Sequence, residues 1–315
     1  MKIIETAYYL PNNEVSSSNL EKKLNLEDGF IEKRTGILKR FYVQEETIED
    51  MAINCIKKLI NDEELKNKIG FIIVATTTPH SYMPGISNYV QKYLNIKNCN
   101  CYDILAGCNG FVTALDIANM YLKTNQAEMG IVIGVDILSK FTDENDVSTS
   151  IILSDGAGAF LVSKDDSKLF KSKIYSKGDS NDILICENGN KISMNGKEIY
   201  KYAVTETVKV VKSILKDSKM DLEDIKFIVP HQSNQKIMRA IANRLKLPNN
   251  KMYMNIENVG NTFCASIPIA ISYMRKENLI DEGDKLLLLG YGGGLNTGCV
   301  LLEYWLFIRY MLKNN

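Results

Sequence analysis

Phe71-Ile72-Ile73-Val74-Ala75 is an unbroken apolar run of strand length, and 156 positions later the chain writes a similar one, Phe227-Ile228-Val229 (227 − 71 = 156). Runs this short, apolar on both alternating faces, suit strands buried on both sides of a sheet. The same shift carries Gly134, which closes Ile131-Val132-Ile133, onto Gly290, which closes Leu286 to Leu289 (290 − 134 = 156). It also carries the helical pattern Met51 to Leu59 onto Thr207 to Leu215, Phe111 to Ala118 onto Ile267 to Met274, and Cys108 onto Cys264. One such match is within chance; several at one gapless offset signal an internal repeat. Strand-like runs alternating with helical periods argue an α/β fold built from two similar halves, 1–168 and 169–315. Their join is the Lys/Asp/Ser-rich stretch Ser163 to Ser172, whose residues favour turns. The polar stretch Lys177 to Gly196, with Gly178 and Gly189, reads as a surface loop.

Composition narrows the function classes. The 315 residues carry 38 Lys+Arg against 38 Asp+Glu, so no polybasic nucleic-acid binder is expected. A 45% hydrophobic and 24% charged chain is of ordinary globular make-up. Seven cysteines without paired spacing point to a reducing cytoplasm. Met1-Lys2-Ile3-Ile4-Glu5 offers no signal peptide. The apolar stretch Leu286 to Leu312 is cut by Gly290, Gly292 to Gly294, Glu303 and Arg309, short of the roughly 18 residues of a membrane span. Cys99 and Cys101 lack further ligands at zinc spacing, and the two histidines, His80 and His231, are far apart, so no metal is expected.

Four segments carry chemistry. In Ala106-Gly107-Cys108-Asn109-Gly110-Phe111 a cysteine opens a nearly all-apolar helix, where the helix dipole would favour a nucleophilic thiolate; the alternative is a small buried hydrophobe. In Phe227-Ile228-Val229-Pro230-His231-Gln232-Ser233-Asn234 a buried strand delivers a histidine at its C-terminal end, the functional edge of α/β sheets. Asn258 to Pro268 is a turn entering a buried helix. Leu289-Gly290-Tyr291-Gly292-Gly293-Gly294 breaks a strand into glycines whose N–H groups are free to meet a ligand. Together they supply a thiol, an imidazole, a carboxamide and backbone donors, a set able to form a thioester and hold its oxyanion.

These motifs resemble the 3-oxoacyl-acyl-carrier-protein synthase III family of the thiolase-like condensing superfamily. The likeness runs through Arg34-Thr35-Gly36-Ile37, Gly107 to Phe111, Asp155-Gly156-Ala157-Gly158-Ala159, Met194-Asn195-Gly196, Pro230 to Asn234, Gly260-Asn261-Thr262, Ala265 to Pro268 and Gly292 to Gly294. The resemblance implies a thiolase-like duplicated α/β fold in five layers, αβαβα. It implies Cys108 as acyl acceptor in a Cys108-His231-Asn261 triad, and the N–H groups of Cys108 and Gly293 as oxyanion hole. The implied reaction is a decarboxylating Claisen condensation of an acyl thioester with malonyl-acyl-carrier protein, in fatty acid biosynthesis, by a homodimer without metal or organic cofactor. Substrate contacts would fall on Phe30, Arg34, Met83 and Asn234. Six basic residues and no acidic one lie between Ile225 and Ile256, and Lys236, Arg239 and Arg244 among them would dock the acidic carrier protein.

The chain also departs from the family. Phe30 and Val147 stand where tryptophan and arginine hold the adenine of coenzyme A, which predicts weaker binding of acyl-coenzyme A or priming from an acyl-carrier protein. Met83 stands where phenylalanine often limits the acyl pocket, which predicts room for longer or branched groups. Residues 305–315 extend past the usual end, as an edge cover or dimer contact. Three alternatives stay open: a specialised-pathway relative of the same fold, a papain-like protease with the same Cys, His, Asn order, and an inactive carrier-binding scaffold.

Overall fold

The 156-residue shift reappears as two sheets of matching strand order. The computed structural model describes residues 1–60, 63–165, 168–187, 191–248 and 250–305. Positions 166–167 of the expected join, Gly189 of the expected loop and the tail 306–315 lie outside the described residues. The first half contains strands β1 (Lys2–Tyr9), β2 (Asn13–Ser16), β3 (Lys39–Tyr42), β4 (Ile69–Ala75), β5 (Asn100–Ile104), β6 (Met129–Asp136) and β7 (Gly156–Ser163). Its helices are α1 (Ser17–Lys23), α2 (Phe30–Thr35), α3 (Ile48–Leu59), α4 (Glu63–Asn67), α5 (Ile86–Leu94), α6 (Gly110–Lys123) and α7 (Val147–Ser150). The second contains β8 (Phe170–Ser176), β9 (Leu184–Ile185), β10 (Ser193–Met194), β11 (Phe227–Pro230), β12 (Lys285–Gly292) and β13 (Asn296–Glu303). Helices α8 (Gly196–Ser218), α9 (Gln235–Leu245), α10 (Ile256–Val259) and α11 (Ser266–Lys276) complete it.

One sheet runs β1-β7-β6-β4-β5 and the other β8-β13-β12-β11. In each, the two parallel strands of the repeat, β4 with β6 and β11 with β12, are followed by an antiparallel neighbour. The counterpart of β5 is reduced to one parallel bridge, Ile228 to Met252.

Because strand side chains alternate faces, each strand feeds two cores. Phe71, Ile73 and Ala75 of β4 join Leu286 and Leu288 of β12 in a central core that also holds α6 and α11. Ile72 and Val74 face an outer core with α3 and α5, while Leu287 and Leu289 face the opposite outer core with α8 and α9. The layers are therefore helices, sheet, helices, sheet, helices, the five-layer duplicated α/β arrangement expected. Helix ends follow local chemistry: Thr47 and Asp50 form a capping box on α3, and Asn195 and Asn234 cap α8 and α9.

One reading needs correction. Lys177 to Gly196 is not simply surface loop: β9 and β10 pair within it, and Ile183 and Ile192 are buried. The apolar stretch from Leu286 is the antiparallel pair β12–β13, and among the described residues no helix is long and apolar enough to cross a membrane.

The repeated glycines are sites of close approach. A Cβ at Gly134 would lie against the Cys264 carbonyl, and one at Gly290 against Asn109 Oδ1, so each central strand admits the other half's turn. Gly134→Ala is expected to lower stability by about 1–3 kcal/mol through overpacking. Gly196→Ala, where an added Cβ meets nothing within 4 Å, should stay within about 0.5 kcal/mol of the parent. Urea denaturation midpoints of both variants check this; equal midpoints would refute it.

Candidate active site

The nucleophile's turn is set by a glycine. Gly107 has φ +56°, the left-handed region, and a Cβ there would meet the Gly293 carbonyl oxygen at 2.7 Å, so a side chain is doubly excluded. Cys108 follows in a 3₁₀ turn, Gly107–Asn109, that leads into α6, and it is buried. The N–H groups of Gly293 and of Cys108 itself both favour charge on its sulfur. Burial nevertheless wins: it pushes the Cys108 thiol up, the Asp136 carboxylate adds to the shift, and the two N–H groups only partly oppose it. Burial thus works against the dipole-stabilised thiolate expected from the sequence, because desolvation disfavours the anion.

His231 stands at the C-terminal end of β11 and is also buried, with its N–H donating to the Leu289 carbonyl at 2.7 Å. Its Nδ1 lies 2.8 Å from Ser266 Oγ, which also takes the Gln232 N–H at 3.4 Å. In the tautomer in which the Ser266 hydroxyl donates to Nδ1, the ring keeps Nε2–H as its donor. Burial pulls the His231 pKa down to about 3, so the ring is neutral at ordinary pH. Tyr291 lies edge-on to it at 5.4 Å and bonds Ser233 Oγ at 2.8 Å and the His231 carbonyl at 3.3 Å. Gln232 ties the loop to Pro230, Tyr253 and Asn255.

Asn261 follows α10, and its Oδ1 accepts the Phe263 N–H at 3.1 Å, orienting the amide nitrogen as the free donor. The turn Phe263–Ala265 then enters α11 just as Gly107–Asn109 enters α6 (263 − 107 = 156). Cys264, the counterpart of Cys108 in the repeat, donates its S–H to the Gly107 carbonyl at 3.2 Å, while its N–H bonds Asp136 Oδ2 at 2.9 Å. Asp136 Oδ1 also takes the Thr77 N–H at 2.6 Å and the hydroxyls of Thr76, Thr77 and Thr78 at 2.8–3.2 Å.

Cys108, His231 and Asn261 line one cavity, together with Asn234, Lys236, Phe263 and the β9–β10 residues Leu184 and Met194. Gly292 packs on Cys108, where a Cβ would come within 2.7 Å of Cys108 Cβ. Phe30 and Arg34 sit together on α2, the guanidinium 4.9 Å from the phenyl centroid, and the Arg34 carbonyl accepts from Asn234. Val147 packs with Phe30 at the same apolar cluster. Met83 does not line this cavity in its own chain and is 84% exposed. Lys236, Arg239 and Arg244 are exposed on α9, whereas Lys226 pairs with Asp284 and Lys251 is bonded to the Leu222 and Glu223 carbonyls. Among the described residues no group of three or more His, Cys, Asp or Glu is gathered as metal ligands. Sequence reading gave no role to Ser266, Tyr291, Asp136 or Phe263. Ser266 and Tyr291 lay inside quoted motifs, one residue in a small-residue run and one among glycines, which was the available signal.

The neutral imidazole has a measurable consequence. Below pH 6.5 the unfolded chain binds a proton at His231 that the fold refuses until about pH 3, so this residue erodes stability as pH falls through that window. The stability gap between the parent and His231→Asn is expected to be about 2 kcal/mol less in the parent's favour at pH 5 than at pH 7. Denaturation curves at both pH values test it; a pH-independent gap contradicts it.

Comparison with known proteins follows the same residues. The family model described as 3-oxoacyl-[acyl-carrier-protein (ACP)] synthase III matches residues 102–178, and its C-terminal partner matches 215–304. The beta-ketoacyl-[acyl-carrier-protein] synthase III of Clostridium acetobutylicum is 37% identical, over 96% of this chain and 98% of its own length. That of Aquifex aeolicus is 38% identical, over 96% and 99%. The crystal structure of 3-oxoacyl-[acyl-carrier-protein] synthase III from Aquifex aeolicus superposes with a TM-score of 0.92 at 37% identity, covering 96% of this chain and 99% of that one. With a thiol, a neutral imidazole and a carboxamide converging from two thiolase-like halves, the chain belongs to the 3-oxoacyl-[acyl-carrier-protein] synthase III family of acyl-transferring condensing enzymes.

Proposed function

We propose that Cys108 accepts an acyl group and that the same cavity then condenses it with malonyl-acyl-carrier protein, releasing CO₂ and a 3-oxoacyl-carrier product for fatty acid biosynthesis. The observation that carries this is the shared cavity of Cys108, His231 and Asn261 with an imidazole kept neutral by burial. In the first half-reaction the Cys108 sulfur attacks the thioester carbonyl and its proton leaves with the departing carrier thiol. In the second, CO₂ loss from malonyl places an enolate oxygen against His231 Nε2–H and the Asn261 amide; the carbanion attacks acyl-Cys108, the C–S bond breaks, and the Cys108 thiolate released takes one proton from solvent to restore the thiol. Cys108 and Gly293 N–H groups take the tetrahedral oxyanion. A charged imidazolium would bind the carboxylate of ground-state malonyl as readily; a neutral donor favours the enolate that forms later. The reaction draws only on these groups and the thioester carriers, with no further cofactor.

The finer assignments rest on position. Arg239 and Arg244, with Lys236 at the cavity, suit docking of an acidic acyl carrier protein. Arg34 already covers one face of Phe30, and Val147 offers no charge, which favours a carrier-borne over a coenzyme A-borne first acyl group and keeps a specialised-pathway role as the second reading. Seven free cysteines suit a reducing cytoplasm. We assign the functional state to a homodimer.

Intact-protein mass spectrometry should show an acyl adduct on the parent and none on Cys108→Ala. His231→Ala and Asn261→Ala should still be acylated but lose condensation by about 10²–10³-fold, the usual effect of removing an oxyanion donor; equal loss of both half-reactions would refute the division of roles. Reversing charge in Arg239→Glu with Arg244→Glu should raise KM for malonyl-carrier protein about tenfold at low salt, with the effect shrinking in high salt. Salt-independent kinetics would remove the docking face.

A further inference from the structure

The two turns of the repeat share an unusual backbone but fill it differently. Gly107 has φ +56°, and Phe263, at the same place in the second half, has φ +43°. A bulky side chain is rarely found there, because the left-handed region crowds its Cβ. The bend is imposed from outside: Asn261 Oδ1 holds the Phe263 N–H, and Asp136 holds the next N–H at Cys264. A glycine would sit there without strain, as Gly107 does, yet the position carries a phenylalanine whose ring faces the reacting groups. That ring lines the cavity and lies 6.4 Å from the His231 ring. It packs in one buried apolar group with Cys108, Leu138, Leu153 and Ile192.

The cavity has a polar end and an apolar end. Lys236 and Tyr200 are exposed beside Asn234 at the mouth, and a carrier arm must enter there. An acyl group delivered to Cys108 from that side points away from the mouth, into the apolar group that Phe263 helps to close. Met83 stands outside this cavity in its own chain, and among the members of that apolar group that line the cavity, Cys108, Leu153, Leu184, Ile192 and Phe263, the one aromatic side chain is Phe263.

We propose that Phe263 sets the acyl-length limit of this enzyme, restricting Cys108 to short acyl groups; this rests on the reading of Cys108 as acyl acceptor. Pocket walls discriminate by about 10–200-fold per methylene that does not fit. The expectation of longer groups drawn from Met83 points the other way, and a chain-length series decides between the two.

The test is single-turnover acylation of the full chain by N-acetylcysteamine thioesters of acetate, butyrate, hexanoate and octanoate, read by intact-protein mass spectrometry. The parent should be acylated by acetyl at least about 100-fold faster than by hexanoyl. In the series Phe263→Leu, Phe263→Ala and Phe263→Gly the hexanoyl-to-acetyl ratio should climb stepwise, by about tenfold or more in Phe263→Ala. Phe263→Gly suits the positive φ and guards against misfolding, with melting temperatures measured for all variants. A parent that takes hexanoyl as fast as acetyl, or a ratio constant along the series in folded variants, overturns the proposal. Absence of any adduct on the parent with every donor refutes the acyl-acceptor reading, and this one with it.

Discussion

Everything at the centre of this molecule depends on two tight turns meeting between two sheets. Gly107–Asn109 and Phe263–Ala265 each enter a buried helix, and each lodges against the central strand of the opposite half at a glycine, Gly290 or Gly134. With that contact the thiol of one half and the imidazole and carboxamide of the other can share a cavity. Separated, neither half holds a complete set of groups. The glycines are thus a packing requirement with a catalytic consequence.

Duplication gives both halves the same turn, and one difference, at the strand end facing each cysteine, sets the two thiols in unlike surroundings. Opposite Cys264 stands Asp136; at the equivalent place opposite Cys108 stands Gly292 (292 − 136 = 156). The Asp136 carboxylate fixes the second turn by its bond to the Cys264 N–H, and burial with that negative charge holds the Cys264 thiol protonated. Its sulfur is spent on the Gly107 carbonyl, which steadies the first turn. At Gly292 the side chain is absent, so the strand packs directly on Cys108, which lines the cavity with no carboxylate in that place. One cysteine is bonded into the scaffold, and the other lines the cavity.

Much of this was legible in the sequence because the strands are buried on both faces and so read as apolar runs, such as Phe71 to Ala75, that a constant offset can match. The candidate segments were legible because strand ends and helix starts mark themselves with Pro230, Gly107 and Gly260, and the family resemblance singled out the triad within them. Three features were not. The apolar wall at Leu184 and Ile192 is interspersed with polar residues, and its partners lie far away in sequence. The thiol's protonation is set by total burial, which no local pattern reports. Phe263 reads as one more hydrophobe before a helix, and only its φ and its neighbours distinguish it.

The electrostatics of the site follow from the same burial. Cys108 and His231 are both buried, and burial favours the neutral form of each, a thiol and an unprotonated imidazole, before substrate arrives. A catalyst of free anions would gain little from such a place. A thioester enters uncharged at its reacting carbonyl, and charge appears only as bonds rearrange, on oxygens that fixed N–H donors can meet without reorganising. The exposed cations, Lys236, Arg239 and Arg244, stand on α9 instead, which follows directly from the His231 loop. Charge attracts at the surface, and neutrality governs the chemistry beneath it; the overall balance of 38 basic and 38 acidic residues conceals that division.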